Sequence, residues 1–359
     1  MYRKVLFDGR HLVNRYSGLG RYSFKVFTAL LKTEREVVLI LAEGDIFDSY
    51  LNESLTKLRS DFEFKTIYTK YKPFTLANYL FFGASLREYR KYHYFYPHFD
   101  LTWFCWGAST FVVHDLFPLV VKDYIIRFSF LKKLAFRFLL YFSLLKKNSR
   151  CIAISNSTKS DIVTYYGKKW LSKIKVVYSA STIELPNSDS EAASNRFLFY
   201  IGDRRPHKNI PRMISIFSIL RSKFDYSGDF IIAGSSKNYR ENLDELIEKT
   251  SGVRFVGNIA DSELVSFFRT SDALFFLSRY EGFGLPILEA AQQGCRVITS
   301  NVSAMPEVAP PGSLIVDLET SDEQIAEEIA SYLDSKINSN SGFLKQFSWG
   351  NTVKHIFGD

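Results

Sequence analysis

Residues 278–289 read Ser278-Arg279-Tyr280-Glu281-Gly282-Phe283-Gly284-Leu285-Pro286-Ile287-Leu288-Glu289, and the run continues to Met305-Pro306-Glu307-Val308. Ahead of it, Ala273–Leu277 has the unbroken apolar character of a strand buried in a parallel sheet. Pro286 suits the start of a helix and Gly294 its end. A glycine loop therefore joins a strand end to a helix start. Free backbone N–H groups and the positive end of the helix dipole make such a junction an anion site. Glu281 falls before the helix and Glu289 one turn inside it, so both can face one crevice, on either side of a bound anion. Two hydroxyl-seeking carboxylates around a phosphate cradle suit a nucleotide-sugar. The plainer alternative is a tight turn with two solvated glutamates.

The rest of the chain alternates strand and helix. In the first half, Lys4–Phe7, Val37–Leu41, Thr110–His114, Cys151–Ile154 and Lys175–Tyr178 read as strands, with a helix over Tyr22–Leu31 after a glycine loop. Residues 184–195 are polar, with Ser, Asp and Pro, and read as an interdomain linker. The alternation restarts with strands Phe197–Ile201, Asp229–Ala233, Arg254–Val256 and Ala273–Leu277, and with a helix carrying Ile210, Met213, Ile214, Phe217 and Leu220 at helical spacing. Such alternation argues for parallel sheets covered by helices on both faces. The expected organisation is a first Rossmann-like domain over 1–183, the linker 184–195, a second over 196–343, and a terminal helix within 344–359. Two such α/β domains facing across a cleft would bind ligand beyond the carboxyl ends of their strands.

Six motifs, taken in order, resemble those of the retaining family 4 glycosyltransferases, which have the GT-B fold. They are Phe7-Asp8-Gly9-Arg10 with Gly18-Leu19-Gly20-Arg21-Tyr22; Val112-Val113-His114-Asp115-Leu116; Ile154-Ser155-Asn156-Ser157-Thr158-Lys159; Gly202-Asp203-Arg204-Arg205-Pro206-His207-Lys208-Asn209; the 278–289 segment; and Val297–Asn301 with Pro306-Glu307-Val308. The resemblance implies that Glu289 binds the nucleotide ribose and that Glu281 lies by the donor sugar. It assigns the diphosphate to Lys208 with Arg204 or Arg205, and puts Gly18, Gly20, Gly284 and Leu285 close to it. It places His114 near the donor sugar and the terminal helix back on the first domain. The chain departs from many members in one respect: Asp203, rather than arginine, follows the loop glycine. The Pro-His-Lys-Asn loop looks most like mannosyl- and rhamnosyltransferase members, so the resemblance implies a hexose donor, GDP-mannose first.

Read from the residues, Arg204, Arg205 and Lys208 follow a strand and precede a helix expected to be capped by Asn209. Positive charge there would stabilise a diphosphate leaving group. The plainer reading is a basic surface loop. His114 has the alternative of a hydrogen-bonded buried histidine, and Gly18-Leu19-Gly20 that of an ordinary turn. No Asp-x-Asp suited to a catalytic divalent metal stands at a strand end, so no metal and no cofactor besides the co-substrate is expected.

At 359 residues the chain has room for two domains with separate cores. Cys105, Cys151 and Cys295 share no short spacing and give neither a zinc pattern nor a disulfide framework, which points to a reducing compartment. The opening Met1-Tyr2-Arg3-Lys4 leads into a strand, so no signal peptide is expected, and no apolar stretch reaches transmembrane length. The net charge of +8 calls for an anionic partner. Residues 122–150 hold eight Lys or Arg against one acid, interleaved with Phe128, Phe130, Phe136, Phe138, Tyr141 and Phe142. A helix there puts Phe128, Leu131, Ala135, Phe138 and Phe142 on one stripe, with Lys132, Lys133 and Arg137 beside it. That suits an anionic membrane surface, a solvated amphipathic helix or, less well, a nucleic-acid strand.

The expected activity is thus transfer of a hexose from a nucleoside-diphosphate sugar to a lipid-linked or polysaccharide acceptor. The enzyme would lie in the cytoplasm against the inner membrane face, without nucleic acid. Two rivals remain at this stage. One is an NAD-linked oxidoreductase, for which Gly18-x-Gly20-x-x-Ser23 lacks the third glycine. The other is a catalytically dead nucleotide- or glycan-binding protein.

Overall fold

Seven strands, β1 (Lys4–Asp8), β2 (Glu36–Ala42), β3 (Lys65–Thr69), β4 (His93–Tyr96), β5 (Ser109–Val113), β6 (Ser149–Ala153) and β7 (Ile174–Val176), form one all-parallel sheet in the order β3-β2-β1-β4-β5-β6-β7. The computed structural model describes residues 2–13, 17–45, 47–104, 107–121, 130–183, 196–235, 243–335 and 341–358. The linker 184–195, Cys105 and Phe128 lie outside these residues.

A second all-parallel sheet contains β8 (Phe197–Ile201), β9 (Asp229–Ala233), β10 (Val253–Gly257), β11 (Ala273–Phe276), β12 (Val297–Ser300) and β13 (Leu314–Val316), ordered β10-β9-β8-β11-β12-β13. Each sheet reverses its winding once, between β1 and β4 and between β8 and β11. In doubly wound sheets that switch point is where loops part and ligands enter. The described residues divide into two units: those within 1–120, 128–182 and 347–359 belong to the first, and those within 121–127 and 183–346 to the second.

β3 and β4 are strands that the sequence pattern does not announce. Lys65–Thr69 is a sheet edge with little burial, and His93–Tyr96 is aromatic rather than aliphatic. Tyr94, Phe95 and Tyr96 are nevertheless fully buried, each contributing roughly 1.5–3 kcal/mol of burial. The first helix begins at Gly18, four residues earlier than its apolar periodicity indicates, because Ser17 caps it: Gly20 N donates to Ser17 Oγ at 3.0 Å.

The terminal helix Trp349–Phe357 packs within the first unit. Trp349 Nε1 donates to the Ser181 carbonyl (2.7 Å), Thr352 Oγ1 to that of Tyr178 (2.9 Å), and Phe357 lies against Phe95.

The helix Phe130–Leu145 turns Leu140, Ser143 and Leu144 inward. Its proposed stripe is largely on the outside: Leu131 is 73% and Phe138 49% exposed, with Phe130 and Leu134 also open to solvent.

Candidate functional site

The loop after β8 is built by three local choices. Tyr200 Oη donates to the Asp203 carbonyl at 2.9 Å and folds the chain back at once. Pro206-His207-Lys208 forms one tight turn. Asn209 ends it in the left-handed region (φ 62°) and leads into the helix Ile210–Lys223. The expected cap is not made there: in that conformation the Asn209 side chain does not reach the helix N–H groups, and its buried amide nitrogen has no partner among the described residues.

Below this loop the strand ends pack backbone to backbone. Gly202 N donates to the Ala233 carbonyl (3.1 Å), and Gly234, at φ 127°, sits so close that a Cβ there would fall 2.0 Å from the Gly202 oxygen. Only glycine fits that approach.

The loop after β11 is tied to it. The His207 carbonyl accepts from Arg279 N (2.7 Å) and Ser278 Oγ (3.2 Å), and Ser300 Oγ donates to the Ser278 carbonyl (2.6 Å). Ser303 Oγ closes the far side by donating to the Glu281 carbonyl at 2.6 Å. These bonds bring Lys208 to Glu281, whose Nζ and Oε1 stand 2.6 Å apart, 73 residues distant in sequence. Lys208 Nζ also lies 5.4 Å from the centre of the Phe276 ring. Gly284, at φ 97°, precedes the helix Leu285–Gln292, with Pro286 in its first turn. Ile287 N bonds back to the Gly284 carbonyl, while Leu285, first in the helix, has no intrahelical acceptor for its N–H. Glu289 is on the same helix and 6% exposed.

The two arginines, alike in sequence, have different surroundings. Arg204 is buried, paired with Asp244 and stacked 3.6 Å over the Phe255 ring centre. Arg205 is a third exposed and grips Asp203, with Nε at 2.7 Å from Oδ2. Burial works to raise the Asp203 carboxyl, but the Lys208 charge and the Arg205 hydrogen bonds outweigh it and hold the group below its ordinary value. His207 is pushed down to about 2 by burial, then by Lys208 and Arg205, so it stays neutral. Asp203, Arg205, His207, Lys208 and Glu281 therefore form one electrostatic cluster at the switch point of the second sheet.

In the first unit, His114 follows β5. Its Nε2–H donates to the Pro97 carbonyl at 2.8 Å, which leaves Nδ1 unprotonated, and the Tyr22 ring meets it edge-on at 4.7 Å. Burial, partly opposed by that hydrogen bond, lowers it to about 4. Gly18 and Gly20 form the first turn of a helix rather than an open loop. Gly20 N–H is already engaged by Ser17, and among the described residues nothing crowds Gly18.

Sequence reasoning did not single out the buried pair at the end of β1. Arg10 bridges both Asp8 carboxylate oxygens, Asn78 Oδ1 (2.6 Å) and the Tyr71 carbonyl (2.7 Å), and Tyr94 Oη donates to Asp8 at 2.6 Å. The Phe7-Asp8-Gly9-Arg10 run at a strand end was the available signal.

Residues 181–343 match the family model described as glycosyl transferases group 1. The chain is 25% identical to O-antigen chain mannosyltransferase B of Escherichia coli, over 97% of each chain. It is 28% identical to O-antigen chain mannosyltransferase RfbU of Salmonella typhimurium over 58% of this chain and 56% of that protein. Among solved structures it resembles Anabaena Alr3699/HepE in complex with UDP-glucose (TM-score 0.69, 14% identity, 98% of each chain). It also resembles WaaG, a glycosyltransferase involved in lipopolysaccharide biosynthesis (TM-score 0.61, 16% identity, 95% and 92% covered). The topology of the two sheets and these likenesses are those of the GT-B fold.

Proposed function

We propose that this chain, a glycosyltransferase with the GT-B fold, moves mannose from GDP-mannose to a lipid-linked or polysaccharide acceptor with retention of configuration. The observation that carries the reading is the Lys208–Glu281 pair beside the helix that holds Glu289. The reading gives Lys208 to the diphosphate, Glu281 to the sugar and Glu289 to the ribose hydroxyls. The mannosyltransferase relatives support the choice of hexose and of a cell-surface glycan as product.

In the reaction, the bond from the sugar C1 to the β-phosphate oxygen breaks. The acceptor oxygen bonds to C1 on the same face, and its proton passes to the departing phosphate. Lys208 and Arg205 carry the charge that builds on that phosphate, and Glu289 holds the ribose. Glu281 is assigned to the sugar. No metal is assigned a role, because these cations and the N–H groups at the helix start face the diphosphate.

None of the described helices is long and apolar enough to cross a membrane. The exposed Phe130, Leu131, Leu134 and Phe138, interleaved with Lys132, Lys133 and Arg137, support docking on an anionic bilayer at the cytoplasmic face.

The deciding experiment is hydrolysis and transfer across a panel of GDP-, UDP-, ADP- and dTDP-sugars, with and without EDTA. The product anomer is read by NMR. Turnover of GDP-mannose in chelator with an α-linked product is expected. Preference for another nucleotide, an inverted anomer, or rescue by Mn²⁺ alone each overturns the corresponding part.

A further inference from the structure

The first unit carries a second concentration of polar and aromatic side chains, at the carboxyl ends of β1 and β4. Asp100, fully buried, accepts from Tyr79 Oη (2.8 Å), Tyr96 Oη (3.1 Å) and His98 Nδ1 (2.5 Å). His11 Nε2 meets Tyr96 Oη at 3.0 Å. The rings of His11 and His98 stand 5.4 Å apart, and Phe74 packs against both, 5.9 Å from the first and edge-on at 5.3 Å to the second.

Phe74 has two features that folding does not require. Its backbone is left-handed (φ 63°), a region that bulky residues avoid. Its ring is 58% exposed, so burial does not offset the strain. Strain retained without compensating burial is found where a side chain must be presented to something else. Beside it, each imidazole has one nitrogen fixed by the network beneath. Among the described residues neither His11 Nδ1 nor His98 Nε2 has a partner.

We propose that Phe74, His11 and His98 form a subsite for one neutral pyranose ring of the acceptor, its C–H face on Phe74 and two of its hydroxyls on the imidazole nitrogens. This deepens the glycosyltransferase reading and rests on it for the word acceptor. The charge balance selects a sugar over a phosphate. Arg10 is consumed by Asp8, and Asp100 leaves the floor of the site negative, so an anion would be repelled. Burial, reinforced by the nearby His98 and opposed by Asp8 and Asp100, lowers His11 to about 4. Because Tyr96 Oη gives its proton to Asp100, the neutral His11 ring donates to Tyr96 through Nε2–H and offers Nδ1 as an acceptor for a sugar hydroxyl. The Asp8–Arg10–Asn78 and Asp100–Tyr79 bonds underneath fix the imidazoles without needing the ligand.

The test is saturation-transfer NMR on the intact chain with methyl α-D-mannoside, α-linked mannobiose, N-acetylglucosamine and inorganic phosphate. The variants are Phe74→Gly, Phe74→Trp and His11→Ala, with nucleoside-diphosphate affinity and thermal midpoint measured alongside. Phe74→Gly removes the ring and the backbone strain together, so misfolding does not explain a loss. The expected result is transfer to at least one sugar in the parent protein, weakened at least fivefold in Phe74→Gly and His11→Ala and kept in Phe74→Trp. Phosphate gives none, and nucleoside-diphosphate affinity is unchanged. Sugar signals indifferent to both losses, or no signal from any sugar in the parent, overturn the subsite. Either result leaves the glycosyltransferase reading to stand on donor turnover. If instead no nucleotide-sugar is turned over while sugar binding still depends on Phe74, that reading falls and the subsite remains.

Discussion

Lys208 Nζ and Glu281 Oε1 form an ion pair at 2.6 Å with side chains only 9% and 15% exposed. Water screens them poorly, and no ligand is needed to bring them together. A diphosphate arriving at Lys208 must share it with Glu281 or displace it, so donor binding and the position of Glu281 are coupled.

Lys208→Ala is expected to weaken donor and free nucleoside diphosphate together. Hydrogen bonds to charged groups are worth about 1.5–3 kcal/mol, which corresponds to a loss of roughly ten- to a hundredfold. Calorimetry with the free nucleoside diphosphate checks it. Unchanged affinity removes Lys208 from the site.

The two glutamates separate by what each variant loses. Glu289→Gln is expected to raise the Kd of free nucleotide, because this carboxylate is assigned to the ribose. Glu281→Gln is expected to lower kcat, with nucleotide affinity held within about threefold, since the neutral amide can still approach Lys208. Equal losses of nucleotide affinity in both variants would overturn the assignment.

Arg204 and Arg205 are expected to part company in the same way. Arg204→Ala leaves Asp244 without its partner and uncovers Phe255, so the thermal midpoint falls, by about 1–2 kcal/mol of stability for a cation stacked on a ring. Arg205→Ala frees Asp203 beside Lys208 and should weaken the nucleoside diphosphate with little change in melting. A melting loss confined to Arg205→Ala would contradict this division.

Membrane docking through the helix Phe130–Leu145 should depend on charge and salt. Each basic residue near an anionic surface contributes about 1 kcal/mol. The Debye length shrinks from ~10 Å at 0.1 M salt to ~3 Å at 1 M, so the attraction must fade. Co-sedimentation with anionic vesicles should be lost at high salt and in the Lys132→Glu/Lys133→Glu protein. No binding to anionic vesicles at low salt, or binding untouched by the double change, would return this helix to an ordinary solvated face.

Much of this architecture is legible in the chain. Phe197–Ile201 and Asp229–Ala233 are strands over the residues their apolar runs mark, and the Gly284–Pro286 junction is a strand-to-helix turn. Among the strands that escaped, β4 did so because its burial is carried by unusual residues. His93-Tyr94-Phe95-Tyr96 is buried at every position but has no aliphatic residue to signal a parallel strand. The fates of Arg204 and Arg205 were not legible because they are decided by Asp244, forty residues on, and by the neighbouring Asp203. The αL conformation of Asn209 is likewise a product of the tight turn before it, and it overrides the capping preference of the residue.

The contact of Gly234 with the Gly202 carbonyl has a bearing on inherited variation at this locus. A methyl group at 234 would drive the ends of β8 and β9 apart, and the first segment to shift is the one running from Gly202 to Lys208. Such a change touches no reacting atom and leaves both cores intact. It would surface as an enzyme that accumulates normally in the cell yet needs more donor to work, a phenotype that a survey of catalytic positions alone would overlook.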